Sequence, residues 1–132
     1  MKKVFLGGTY DSSWRNQVIQ DLSHAGLDYF NPIVDDWDEE AKKREREARK
    51  SCDFCLYTIT PKMTGVYSIA EVVDDSNKRP EKTVLVLLYK DEEAEFTVGQ
   101  WKSLMAVGYM VGMNGAQVFM YIKDAVEWMA KQ

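Results

Sequence analysis

The sequence predicts an α/β fold, a doubly wound parallel sheet of five strands in the order 2-1-3-4-5 with helices on both faces. Three observations predict it. Short apolar runs alternate with longer stretches of helical periodicity about five times along the chain. Parallel neighbours require a crossover connection, which an intervening helix supplies. Right-handed crossovers then leave the small doubly wound order as the natural solution. The 132 residues form one domain spanning 1–132, without linkers or internal repeats.

Val4-Phe5-Leu6 reads as a short buried strand ending in Gly7-Gly8-Thr9-Tyr10. Asp11, Ser12 and Ser13 are good N-cap types, and a helical pattern runs from Trp14 through Val18, Leu22 and Ala25 to Gly26, a C-cap. Leu27 to Phe30 is a second strand, stopped by Asn31-Pro32, and Ile33 to Trp37 forms a loop. Asp38 to Lys50 is a charged helix, followed by an apolar strand from Asp53 to Ile59 that Thr60-Pro61 closes. Thr64 caps the next helix, whose apolar positions are Val66, Ile69, Val72 and Val73. Asn77 to Glu81 turns the chain into the strongest strand, Thr83 to Tyr89. After an acidic loop come a helix from about Val98 to Val111, a turn at Asn114-Gly115, a strand from Gln117 to Phe119 and a helix from about Lys123 to Ala130.

Composition narrows the class of function. Hydrophobic residues make up 45% and charged residues 29%, which fits a globular domain rather than a disordered or fibrous one. The 17 Lys+Arg against 21 Asp+Glu give a formal charge of -4, with no general attraction to nucleic acid or to an anionic membrane. The longest apolar run, Val84 to Tyr89, is far short of a membrane span. Glycines end the apolar stretch after Lys2-Lys3 before it reaches the length of a secretory signal. The expectation is a soluble, cytoplasmic protein. Cys52 and Cys55 form a C-x-x-C without the second pair that structural zinc needs. Placed in the strand, the two sulfurs would diverge, and they read as reduced, partly buried thiols.

The topology locates a site before any catalytic residue is chosen. Ligands of such sheets bind at the carboxyl ends of the strands where the winding reverses, here between strands one and three. Gly7-Gly8-Thr9-Tyr10-Asp11 and the segment from Thr60 to Tyr67 border that crevice, and the loop holding Asp35, Asp36 and Trp37 forms its rim. The glycine pair permits close backbone approach and the next helix offers unpaired N–H groups, although this is neither a G-x-G-x-x-G nor a P-loop. An ordinary strand-to-helix turn would look the same; Tyr10, a large polar-tipped ring at its tip, tilts the reading toward ligand contact. A phosphorylatable receiver would need acids after strand one and an aspartate ending strand three, where this chain has Gly7-Gly8 and Thr60.

The helix over 38–50 interleaves acids and bases, with favourable i,i+4 pairs Glu39–Lys43, Glu40–Arg44 and Glu45–Arg49, and reads as a solvated face. The fourth helix is apolar around much of its circumference, with Trp101, Leu104, Met105 and Gly108 in one stripe and Val107, Tyr109, Met110 and Met113 beside it. Such a helix is covered on more than one side, and a subunit interface is the expected second cover. Periodicity alone makes Glu71 a solvent residue. With Ile69, Val72 and Val73 inward, Tyr67, Ser68 and Glu71 fall on the far face.

Three segments change the standing of that glutamate. Lys3-Val4-Phe5-Leu6-Gly7-Gly8-Thr9-Tyr10, Cys52-Asp53-Phe54 and Gly65-Val66-Tyr67-Ser68-Ile69-Ala70-Glu71 together resemble the nucleoside 2-deoxyribosyltransferase family, which includes the 2'-deoxynucleoside 5'-phosphate N-hydrolases. The similarity runs from the first strand to the fourth. It implies a flavodoxin-like fold and cleavage of an N-glycosidic bond by a glutamate near the start of the helix after strand three. It also implies homo-oligomers, dimers or larger, in which a neighbouring subunit completes each site. By that resemblance Glu71 is the nucleophile, Asp53 the family's aspartate before strand three, and Tyr10 part of the first ligand loop. Gly7, Gly8, Thr9, Asp35, Asp36, Trp37, Gly65, Tyr67 and Ser68 are then substrate-binding, and no metal or organic cofactor is needed. Tyr67 stands where the family has a small residue, and Thr64 where transferases carry an acid.

The chemistry follows from the bond to be broken. As the base departs, the anomeric carbon becomes oxocarbenium-like, and a carboxylate on the opposite face can capture it covalently. A glutamate of ordinary pKa is already ionised at neutral pH, so Glu71 needs positioning, by Tyr67 or Tyr10, more than activation. Asp35, Asp36 or Asp53 would protonate the base. A second base or water completes the reaction. Hydrolysis of a nucleotide or of NAD, and a nucleotide-sensing module without turnover, are the competing readings. Lys62 and Arg15 are compatible with a 5'-phosphate.

Overall fold

A computed structural model describes residues 1–132. Its elements are β1 (Lys3–Gly8), α1 (Trp14–His24), β2 (Asp28–Phe30), α2 (Glu39–Ser51), β3 (Phe54–Ile59), α3 (Tyr67–Lys78), β4 (Thr83–Leu87), β5 (Lys90–Asp91), β6 (Ala94–Glu95), α4 (Val98–Met113), β7 (Gln117–Phe119) and α5 (Ile122–Ala130). The main sheet has the order β2-β1-β3-β4-β7 and is parallel throughout. Because β5 and β6 form a separate antiparallel hairpin, this is the predicted 2-1-3-4-5 order with one insertion. The family of folds is flavodoxin-like.

Period-two alternation divides the apolar residues between two layers. From β3, Phe54 and Leu56 join Val4, Leu6, Val84 and Val86 under α1 and α5, where Val18, Leu22, Val126 and Met129 meet them. Cys55, Tyr57 and Ile59 point the other way with Phe5, Leu85 and Leu87, beneath α2, α3 and α4. Gly26 follows α1 with a positive φ of 75°, the left-handed geometry that a glycine C-cap supplies.

Several local expectations change. The acidic loop folds into the β5–β6 hairpin, which turns on Glu92 at φ 55°. Its strands have two residues each, too few for a period to register. Thr64 does not cap α3; Val66 holds that position, and no side chain bonds the first amides. Cys52 ends α2 rather than entering β3, so both thiols are buried in the same layer instead of diverging. On α3 the inward stripe is Glu71, Val72, Asp75 and Ser76, while Ile69 and Val73 are only half-buried beside it. No helix is long and apolar enough to cross a membrane.

Candidate active site

A cavity of about 290 Å³ opens at the carboxyl ends of β1 and β3. Its walls come from the β1–α1 loop, the β2–α2 loop and the β3–α3 loop, the place that the change of winding dictates. Two tight contacts explain the glycines at its base. A Cβ on Gly7 would lie 2.5 Å from the Tyr57 ring. Gly8 has φ +117°, and a Cβ there would lie 2.1 Å from the Thr58 carbonyl oxygen. Thr9 continues the join, its Oγ1 accepting from the Thr60 amide at 2.9 Å.

Two glutamates from different helices share this cavity, Glu71 of α3 and Glu45 of α2. Glu71 is only 6% exposed. Burial first, then the Glu45 carboxyl with which it is within hydrogen-bonding reach, push the Glu71 carboxyl up to about 8. Arg49 opposes that rise, its Nη1 standing 3.6 Å from Glu71 Oε2. Sharing one proton is the usual outcome when two carboxyls meet away from water.

Behind them lies a charged cluster. Asp75, fully buried, accepts from Arg49 Nη2 at 2.9 Å and Nε at 3.3 Å, from Arg79 Nε at 2.9 Å, and from the Tyr57 hydroxyl. Arg49 Nη2 also donates to Asp74 at 3.0 Å. Burial would lower the Arg49 guanidinium, but its bonds to Asp75 raise it above its usual value. Burial and the Asp75 charge raise the Tyr57 hydroxyl. These groups hold Arg49 charged and fixed in direction.

A family model described as nucleoside 2-deoxyribosyltransferase like matches residues 1–91. The chain belongs to this family. No curated protein matches it significantly. The matched segment of this nucleoside 2-deoxyribosyltransferase-like protein runs from β1 through β5 and contains every residue lining the cavity.

Ten of the twelve residues expected at the site line the cavity: Gly7, Gly8, Thr9, Tyr10, Asp35, Trp37, Gly65, Tyr67, Ser68 and Glu71. The other two do not. Asp36, beside Asp35, is exposed and does not line it. Asp53 precedes β3 and accepts from the Lys3 amide at 2.8 Å, at the amino ends of the strands. Six residue steps separate it from Ile59, the β3 residue that lines the cavity, about 20 Å. It ties β1 to β3 and cannot protonate a ligand there. Tyr10 does not orient Glu71 either; its hydroxyl donates to the Val34 carbonyl at 2.9 Å and clasps two rim loops together.

In this deoxyribosyltransferase-like chain α2 is the element that sequence reasoning misplaced. Of its expected surface pairs, Glu45–Arg49 is replaced by contacts into the protein. Trp37 Nε1 donates to Glu45 Oε2 at 3.0 Å, and Arg49 turns to α3. Glu39 pairs with Lys42, three residues on, rather than with Lys43. The signal for burial was present in Ala41 and Ala48, the small residues on which α2 rests. Arg15 was also missed as a structural group. Its guanidinium donates to the carbonyls of Leu6 and Thr9 and stacks on Trp14, and burial lowers it to about 10.

Proposed function

We propose that this protein cleaves the N-glycosidic bond of a nucleoside, with Glu71 as nucleophile and Glu45 as proton donor. The observation that carries the reading is the buried Glu71 carboxyl beside Glu45 and Arg49 on the wall of one cavity. Family membership supports the substrate class.

In the reactive form the pair's proton resides on Glu45, and Glu71 is the carboxylate that Arg49 faces. The C1'–N bond breaks as a Glu71 oxygen bonds to C1', and Glu45 gives its proton to the departing base. Water or a second base then attacks C1', releasing Glu71 and returning a proton to Glu45. Trp37 and Tyr67, with ring centroids 6.2 Å apart at the rim, suit a planar base. Asp35, which also lines the cavity, serves substrate binding.

Met105, Tyr109, Met110 and Met113 leave an apolar face of α4 exposed. We assign that face to a homo-oligomer contact, a dimer or larger. Chromatography of 2'-deoxynucleosides incubated with enzyme, with and without an acceptor base, tests the chemistry. Wild type should release or exchange base and Glu71→Ala should do neither. Equal activity in the two removes Glu71 from the mechanism. The second reading, a binding or sensing module, is favoured by Thr64 at the rim, where the resemblance leads one to expect an acid. Stabilisation by ligand with no product would support it.

A further inference from the structure

We infer that Asp91 is a positioning residue, which from the β5–β6 hairpin fixes the span between the loops that wall the cavity. The inference rests on reading this cavity as the active site and adds a residue that acts on it from outside.

The hairpin is an insertion between β4 and α4, and neither of its strands contributes a residue to the two apolar layers. The core therefore does not account for it. It stands on α4 instead. Across its root the Phe96 amide donates to the Tyr89 carbonyl at 3.2 Å, and both rings pack on Trp101, with centroids 6.0 and 5.1 Å away. From that footing Asp91, only 8% exposed, reaches two walls of the cavity. One of its carboxylate oxygens accepts from Ser12 Oγ on the β1–α1 loop and from Thr60 Oγ1, at 2.6 Å, on the β3–α3 loop. Lys62 on the second loop adds an ion pair to Glu92 at 2.7 Å.

None of Asp91, Ser12 and Thr60 lines the cavity, and each loop carries the constraint inward through a backbone bond. The Ser12 amide donates to the Tyr10 carbonyl at 3.0 Å, and the Met63 amide to the Thr60 carbonyl at 3.0 Å. Tyr10 and Met63 both line the cavity. Tyr10 passes the constraint on, since its hydroxyl holds the Val34 carbonyl of the β2–α2 loop. One buried carboxylate is thus tied to all three loops around the opening. Glu45, Arg49 and Glu71 belong instead to α2 and α3, where Asp75 fixes Arg49. Loosening the loops therefore weakens binding, because a ligand must order them again, and spares the chemical step.

The test compares wild type, Asp91→Ala and Asp91→Asn as whole chains, by steady-state release of base from 2'-deoxynucleosides and by hydrogen exchange of the free proteins. Asp91→Ala should raise KM about tenfold, with kcat within about threefold of wild type. Asp91→Asn, which keeps an oxygen able to accept from both hydroxyls, should bring KM back to within about threefold. The Ser12 and Met63 amides should exchange about tenfold faster in Asp91→Ala, while α2 and α3 keep their wild-type protection. An unchanged KM in folded Asp91→Ala, or loop amides that exchange as in wild type, overturns the inference. A general loss of protection across α2 and α3 also overturns it, marking a residue that serves stability alone. If Asp91→Ala does not fold, Ser12→Ala removes one arm and decides between the same outcomes, with an expected rise in KM of about threefold. A wild type that releases no base would remove the catalytic reading. Faster exchange confined to the loops would then still uphold the clamp, and unchanged exchange would sink both.

Discussion

Arg49 Nη1 lies 3.6 Å from Glu71 Oε2, and the two side chains are 9% and 7% exposed. The contact joins α2 to α3 beneath the cavity and places a fixed cation beside a carboxyl that burial, with Glu45, still pushes up to about 8. Asp75 aims Arg49, and Tyr57 and Arg79 hold Asp75.

The Glu71 carboxyl makes stability depend on pH. Its folded value is raised from 4.5 to about 8. Below the lower value it is protonated in both folded and unfolded chains and contributes no difference. As pH rises toward the upper value the unfolded chain ionises first, so stability is lost across that window. Glu71→Gln removes the penalty. It should be more stable than wild type at pH 7 by on the order of 2 kcal/mol. Urea unfolding should show the advantage disappearing near pH 4, and an equal advantage at both pH values would contradict the assignment.

A shared proton shapes the rate as well. The reactive pair holds one proton, so kcat should fall as pH rises past about 8, where the Glu71 carboxyl that holds it at rest ionises. Glu45→Gln should lower kcat about 100-fold and erase that alkaline limb. A variant that keeps the wild-type limb would show that another group donates the proton.

Asp75→Ala leaves Arg49 and Arg79 without their common buried acceptor. Loss of a buried partner of this kind costs about 3–5 kcal/mol. Thermal unfolding should register it as a large fall in Tm, and a change within a degree or so would mean that the cluster reorganises freely.

Gly8→Ala tests the close approach of β1 to β3. The left-handed φ and the contact with the Thr58 carbonyl act together, and the expected cost is about 3 kcal/mol or more. Denaturant midpoints of wild type and variant measure it directly.

Asp53→Ala should leave base release within about twofold of wild type, because the carboxylate serves only the Lys3 amide. The loss of stability should be about 1 kcal/mol or less. A fall in turnover without a fall in Tm would restore Asp53 to the site.

The sheet order and the site's location were legible because they follow from the succession of elements, which Val4-Phe5-Leu6, the segment 53–59 and Val84-Leu85-Val86 announce clearly. What escaped was the facing of charged side chains. A helical wheel assigns apolar residues inward, yet α3 turns Glu71 and Asp75 to the interior because Arg49 and Tyr57 wait there. Sequence spacing within α2 likewise suggested that Glu45 and Arg49 satisfy each other, whereas each finds its partner on a different element. Pairing across elements leaves no periodic trace. The hairpin that carries Asp91 was illegible for a simpler reason, its strands being too short to show alternation.

Trp37 stands 53% exposed, its indole N–H on Glu45 and the Lys42 ammonium 5.0 Å from its ring centroid. The other indoles do not line the cavity: Trp14 is buried, Trp101 packs on Tyr89 and Phe96, and Trp128 on Phe54. The molecule therefore carries its own optical gauge of occupancy. A guest sliding past Tyr67 would alter the polarity around one fluorophore and leave three unchanged, so emission intensity alone can follow filling and emptying without a label.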